Sequence, residues 1–209
     1  KARNYLEKYL KLDNKNHIAT NNLANIFFKE ENFIKAEKFY LKTVEIKNDY
    51  LIGIVNTAIF YESIGKLDEA RKFYLKAIAL SPETISIYFN LSRIDKNFID
   101  KEKIEYLIDI MKNEKIKSIE MGYGFFLMAE YERKKNFFTK EMEYLEKAHQ
   151  YTFKENLNIN NQSLKYWQNI ISTEYDKFSF TNENVTNELK SLKPIFIIGV
   201  PRSGSTMAE

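Results

Sequence analysis

The chain has 209 residues, 44% of them hydrophobic and 29% charged, with a net charge of +3. That balance fits a globular chain and excludes a disordered one, and so small a charge leaves no electrostatic footprint for nucleic acid or an anionic membrane surface. The absence of cysteine excludes disulfides, zinc–thiolate centres and cysteine nucleophiles. No stretch reaches the ~18 apolar residues of a membrane span, and no signal-peptide pattern follows the opening Lys1-Ala2-Arg3. Neither nucleic acid nor membrane is expected as a partner, and a cytoplasmic, bacterial setting is expected.

The first element is a helix over residues 2–14, and from there the chain repeats itself every 34 residues. Ala2, Ala36 and Ala70 coincide, as do Leu6, Tyr40 and Tyr74, and then Asn14, Asn48 and Pro82. In the other half of the unit Ala24 meets Ala58, Phe27 meets Tyr61, and Asn22, Asn56 and Asn90 fall on one register. Each unit reads as two helices. Alanines sit where the pair approaches closely, and aromatics fill the space between one pair and the next. Gly65 stands just past a helix end. Ser81-Pro82-Glu83 reads as a helix start, with Ser81 as N-cap and Pro82 at the first helical position.

These residues resemble the tetratricopeptide repeat (TPR): Leu23, Ala24, Phe27, Ala36, Tyr40 and Asn48 in one copy, then Ala58, Tyr61, Gly65, Ala70, Tyr74, Ala77 and Pro82 in the next. The resemblance implies a mainly α fold, a TPR-like α-α superhelix over residues 1–151, best matched at 17–82 and degenerate at 85–151. Residues 2–14 read as the second helix of an earlier copy, so the array is expected to extend upstream, because a repeat cannot bury its apolar face alone.

Past Pro82 the pattern weakens. Residues 85–112 keep two amphipathic stretches, but Ile104 stands where alanine is expected. Residues 116–151 form a further helical hairpin with Gly122 and Gly124 inside its first helix, which either permit close packing or mark a break. An extra helix over 160–174 carries Tyr166 and Trp167, the latter read as a capping or docking residue, and 176–193 reads as a linker within a 152–193 segment.

The last residues, 194–209, differ in kind. Pro194-Ile195-Phe196-Ile197-Ile198 has the profile of a buried parallel strand, and Gly199-Val200-Pro201-Arg202-Ser203-Gly204-Ser205-Thr206 follows it. Strand, glycine-bearing loop and helix start together form an anion-binding arrangement: backbone N–H groups point at the ligand and the helix dipole favours negative charge. Gly204 permits close backbone approach, Ser203, Ser205 and Thr206 offer hydroxyls, and Arg202 supplies a planar cation suited to phosphate or sulfate. The spacing is that of a nucleotide P-loop, but Ser205 stands in the place of its lysine, which weighs against a donor with a β,γ-diphosphate.

Pro194 to Thr206 resembles the 5′-phosphosulfate-binding loop of sulfotransferases, closest to bacterial proteins in which TPR repeats precede a domain similar to protein-tyrosine sulfotransferases. The family usually has threonine where Ser205 stands, a change that keeps the hydroxyl. The resemblance implies 3′-phosphoadenosine-5′-phosphosulfate as cofactor, held by Arg202, Ser203, Gly204, Ser205 and Thr206, with no metal. It further implies a truncated α/β domain from residue 194 and transfer of sulfate to a hydroxyl acceptor, protein tyrosine first among the candidates. Arg202 would stabilise charge, and no catalytic base is assigned. The alternatives are an interaction adaptor without catalysis, and a P-loop kinase. Asn22, Asn56 and Asn90, at 34-residue spacing, read as one face of the array, where asparagine both donates to and accepts from a peptide backbone. Asparagine as a plain consensus residue is the competing reading. A protein or peptide acceptor is the expected partner of the array. His17 and His149 stand apart with no metal-ligand spacing and read as surface residues. Purified and given labelled donor, the chain by itself is expected to transfer no sulfate; transfer above the no-protein control would overturn that expectation.

Overall fold

The computed structural model describes residues 2–113 and 115–174. The proposed linker over 176–193 and the strand and loop over 194–209 lie outside the described residues. The chain divides into two compact units, one through Leu157 and one from Asn158 onward.

The first unit holds nine helices among the described residues: α1 (Ala2–Leu12), α2 (His17–Lys29), α3 (Phe33–Ile46), α4 (Leu51–Ser63), α5 (Leu67–Leu80), α6 (Ile85–Ile94), α7 (Lys101–Met111), α8 (Ser118–Lys134) and α9 (Phe138–Glu155). Three hairpins pair closely, α2 with α3, α4 with α5, and α8 with α9. The sequence explains why. Ala24 and Ala36 are both fully buried, as are Ala58 and Ala70, so small side chains stand inside each closely packed pair. Between the pairs sit Tyr40, Phe60 and Tyr74, each at most 2% exposed. An aromatic side chain removes ~150–250 Å² from water, roughly 4–6 kcal/mol at ~25 cal/mol/Å², as an upper bound. Phe27 stacks on Phe39 at 5.4 Å and Tyr61 on Phe73 at 5.6 Å, the same contact one repeat apart.

The third hairpin is different. Ser92 and Ile104 replace the alanine pair, both are buried, and α6 and α7 make no close backbone pairing. A β-branched side chain at the contact point holds the two helices apart. Tyr88 packs near Phe98 and the partly exposed Tyr106, with ring centroids 6.1 and 6.4 Å away. In return α6 packs directly on α8.

The predicted start of α6 is corrected. Ser81 is the C-cap of α5, and α6 begins at Ile85 with Thr84 as N-cap. The Ser81 hydroxyl is spent on the Glu83 carboxylate and the Thr84 hydroxyl, both at 2.7 Å, so neither side chain caps the helix. Glu120 of α8 does so instead: its Oε2 accepts the Ser86 N–H at 2.7 Å and its Oε1 accepts the Ser86 hydroxyl at 2.8 Å. A carboxylate at a helix N-terminus satisfies a free donor and is favoured by the helix dipole.

The two glycines of α8 serve close packing. A β-carbon on Gly122 would stand 2.6 Å from Thr152 Cγ2 of α9, and one on Gly124 would stand 2.4 Å from Met111 Sδ of α7. The repeat also continues into this hairpin with a slip. The turns after α2, α4 and α8 share one geometry: Glu31, Gly65 and Asn136 have φ of 56°, 77° and 61°. The next N–H in each reaches back to Phe27, Tyr61 or Glu132, closing the same helix-ending motif. In that register Ala129 takes the place of Ala58 and Ala148 that of Ala77, three residues later than a strict 34-residue period would put them.

The described residues of the second unit, 158–174, lie in α10 (Leu157–Glu174). Trp167 is 58% exposed and meets Tyr166 edge-on at 5.8 Å.

Glu31 occupies the left-handed position that glycine fills at residue 65. That conformation costs an L-residue about 1–2 kcal/mol, partly offset by the backbone entropy of glycine. Glu31→Gly is expected to raise the unfolding free energy by about 0.5–1 kcal/mol, and Gly65→Ala to lower it by a similar amount, both read as shifts of the urea midpoint at constant slope.

Candidate interaction face

The helices α2, α4 and α6 are the first helices of successive repeats, and residues four and seven apart on each fall on one face. On α2 that stripe is Ile18, Asn22 and Asn25; on α4, Ile52, Asn56 and Ile59; on α6, Ser86, Asn90 and Arg93. Ile18, Ile52 and Ile59 are 51%, 58% and 38% exposed, and Asn22 is exposed as well. Asn56 and Asn90 are half-buried. The three asparagines singled out by the sequence therefore stand on successive helices at one register, between two rows that include exposed isoleucines.

Polar cross-links run through the same layer. Asn56 Nδ2 donates to Asn21 Oδ1 at 3.2 Å, joining α4 to α2. Arg93 lies 3.5 Å from the Glu62 carboxylate, joining α6 to α4. Glu120 joins α8 to α6 through Ser86. Behind the stripe, the buried Tyr40 hydroxyl donates to Asn25 Oδ1 at 2.6 Å and the Tyr74 hydroxyl to Glu62 Oε2 at 2.6 Å. Asn25 and Glu62 are thereby fixed from below, while the Asn22 side chain stays at the surface. The isoleucines of this face were not singled out from the sequence. Their signal was present as Ile18 and Ile52 at the repeat period, but exposure cannot be read from a period alone.

Burial pushes the Tyr40 and Tyr88 hydroxyls up to about 12, the nearby Tyr106 and Glu83 adding to the effect on Tyr88. Burial also raises the Tyr74 hydroxyl, and its hydrogen bond to Glu62 raises it further. The Asp95 carboxyl is held below the usual range, first by its hydrogen bond from Arg71. No group of three or more metal-ligating side chains exists among the described residues. His17 is half-buried and packs edge-on against Tyr50 at 4.7 Å; His149 is exposed and meets Phe126 edge-on at 5.2 Å. Arg202, Ser203, Gly204, Ser205 and Thr206 lie outside the described residues.

The tetratricopeptide repeat family model matches residues 55–84. Two curated relatives are an uncharacterized protein of Aquifex aeolicus (strain VF5), 30% identical over 153 residues, and the uncharacterized protein ycf37 of Cyanophora paradoxa, 33% identical over 81 residues. The matched regions cover 70% and 35% of this chain, and the chain spans only 19% and 45% of those two proteins. Two crystal structures of MamA share the fold, with TM-scores of 0.53 and 0.50 at 16% identity. They cover 73% and 75% of this chain, and 88% and 83% of their own. The chain thus carries a tetratricopeptide repeat within a TPR-like helical array.

The raised tyrosines fix an alkaline limit. Between the ordinary tyrosine pKa of ~10 and about 12, the unfolded chain has released phenolic protons that the folded chain still holds, so stability falls as pH rises through that window. The urea midpoint is expected to drop between pH 10 and 12, and Tyr88→Phe to flatten the drop relative to the parent.

Proposed function

We propose that this chain is a docking module for a protein or peptide partner, with the face of α2, α4 and α6 as its contact surface. One observation carries the reading: isoleucines exposed to solvent flank asparagines at the repeat period on successive helices. Exposed apolar side chains gain from burial against a partner, and asparagine amides pair with peptide groups in either direction. The matched tetratricopeptide repeat supports the reading, since stacked repeats present extended binding surfaces. No helix among the described residues is long and apolar enough to cross a membrane.

A second reading is kept for the parent protein, on the sequence of Pro194 to Thr206 alone. It is a sulfotransferase in which Arg202, Ser203, Gly204, Ser205 and Thr206 would hold 3′-phosphoadenosine-5′-phosphosulfate, and the array would position a protein acceptor, with tyrosine the leading candidate. The donor would supply an activated sulfuryl group, and a cytoplasmic, bacterial setting belongs to the same reading. The absent P-loop lysine sets it above a kinase. Calorimetric titration of adenosine 3′,5′-bisphosphate into the longest expressible form of the protein tests it; no binding, or binding untouched by Arg202→Ala, would sink it.

The docking reading is tested on the whole chain. Peptides selected from a random displayed library against it should bind saturably, and Ile52→Glu should weaken them at least ~10-fold, because a charge replaces an apolar contact. Ile52 is exposed, so the variant should keep the parent's thermal midpoint. Failure to recover any peptide whose binding depends on Ile52 would overturn the reading.

A further inference from the structure

We infer that the groove between α1 and α3 is a second docking site, for an acidic segment of a partner protein that carries an apolar side chain. Two hollows form it. One, of about 500 Å³, is lined by Glu7, Lys8 and Lys11 of α1 and Lys42 of α3. The other, of about 410 Å³, is lined by Asn14, Lys15, Glu45 and Ile46, and again by Lys42. Leu10, Leu23 and Phe39 also line the first hollow. Leu10 and Leu23 are buried and Phe39 is half-buried, so an apolar floor lies beneath a charged rim. The groove shares no exposed residue with the face of α2, α4 and α6, and it stands independently of that face.

The rim sets the sign of the partner. Lys8, Lys11, Lys15 and Lys42 share the groove with two carboxylates, Glu7 and Glu45. Glu7 also lies 3.8 Å from Arg3. The other carboxylates close in sequence are engaged elsewhere: Glu37 pairs with Lys66 at 3.0 Å, and Asp13 accepts the Lys15 backbone N–H at 3.2 Å. None of the four lysine side chains has an ion pair or hydrogen bond among the described residues, where every ion pair uses another cation. The repeat itself carries lysine to this place, since Lys8, Lys42 and Lys76 recur at its period on α1, α3 and α5. An arriving carboxylate therefore relieves repulsion among unpaired cations and gains their attraction. Lysine stems lie along apolar surface while their ammonium groups reach outward, so both halves of the site serve one ligand.

Glu7 and Glu45 decide the class of that ligand. A nucleic acid carries charge at every phosphate and would have to set some of it beside these carboxylates. The chain's net charge of +3 adds no long-range pull on a polyanion. A peptide spaces its carboxylates to avoid Glu7 and Glu45, and it can lay an apolar side chain against Phe39.

The test uses the full chain and labelled ligands followed by fluorescence anisotropy. The probe is four repeats of Glu-Asp-Leu, compared with a Gln-Asn-Leu repeat, a Glu-Asp-Ser repeat and a single-stranded RNA of the same length. The Glu-Asp-Leu repeat is expected to bind at least ~10-fold tighter than the other three, and to weaken as salt rises. Lys8→Glu combined with Lys11→Glu is expected to cost it at least ~10-fold at an unchanged thermal midpoint, because both lysines are exposed. Lys42→Gln should weaken it as well, and Ile52→Glu should leave it unchanged. Binding untouched by the lysine substitutions overturns the inference, as does equal binding of any of the three comparison ligands. Loss on Ile52→Glu would put the acidic peptide on the face of α2, α4 and α6, so this inference would fall and the docking reading would stand. Failure of the probe while the library yields Ile52-dependent peptides has the same meaning.

Discussion

Close approach of two helices through a pair of alanines is the contact on which this fold rests. With Ala24 and Ala36 buried in one hairpin and Ala58 and Ala70 in the next, only small side chains occupy these interior positions, and the hairpins pack closely. Closure then brings Phe27 onto Phe39 and Tyr61 onto Phe73, and drives Tyr40 and Tyr74 into the space between hairpins. The burial of large rings supplies most of the apolar gain, but the alanines decide where the rings can go. The third hairpin shows the converse. Ile104 is apolar and buried like the alanines it replaces, yet larger, and α6 packs on α8 rather than closely on α7. The last hairpin recovers the close contact by another route, with Gly122 clearing space for Thr152 of α9, while Gly124 does the same for Met111 of α7.

Buried tyrosines link this core to the outer face. A phenol removed from water must find a partner, and Tyr40 and Tyr74 find theirs in Asn25 and Glu62, residues of the first-helix layer. Glu62 also lies 3.5 Å from Arg93 of α6. Carboxylates that satisfy buried hydroxyls or helix ends are not free to recruit a ligand. What remains outward is aliphatic or amide, with Lys29 and Arg93 as exposed cations.

The sequence period made the hairpins legible, because the 34-residue recurrence of alanine and aromatic residues is itself the packing code. The same period failed at two places. Ser81-Pro82 carries every local sign of a helix start, but Ser81 hydrogen-bonds its side-chain neighbours, and the cap comes from Glu120, 34 residues ahead of Ser86. No local rule reaches that far. The slip of three residues in the last hairpin was also hidden, because the loop before α8 breaks the count while the left-handed turn at Asn136 restores the geometry. The reading of residues 194–206 as an anion-binding loop rests on their order alone and falls outside the described residues. On the face, the asparagine register was visible but its meaning was not. Asn56 is half spent on Asn21, and Asn25 is held by the Tyr40 hydroxyl while Asn22 is exposed.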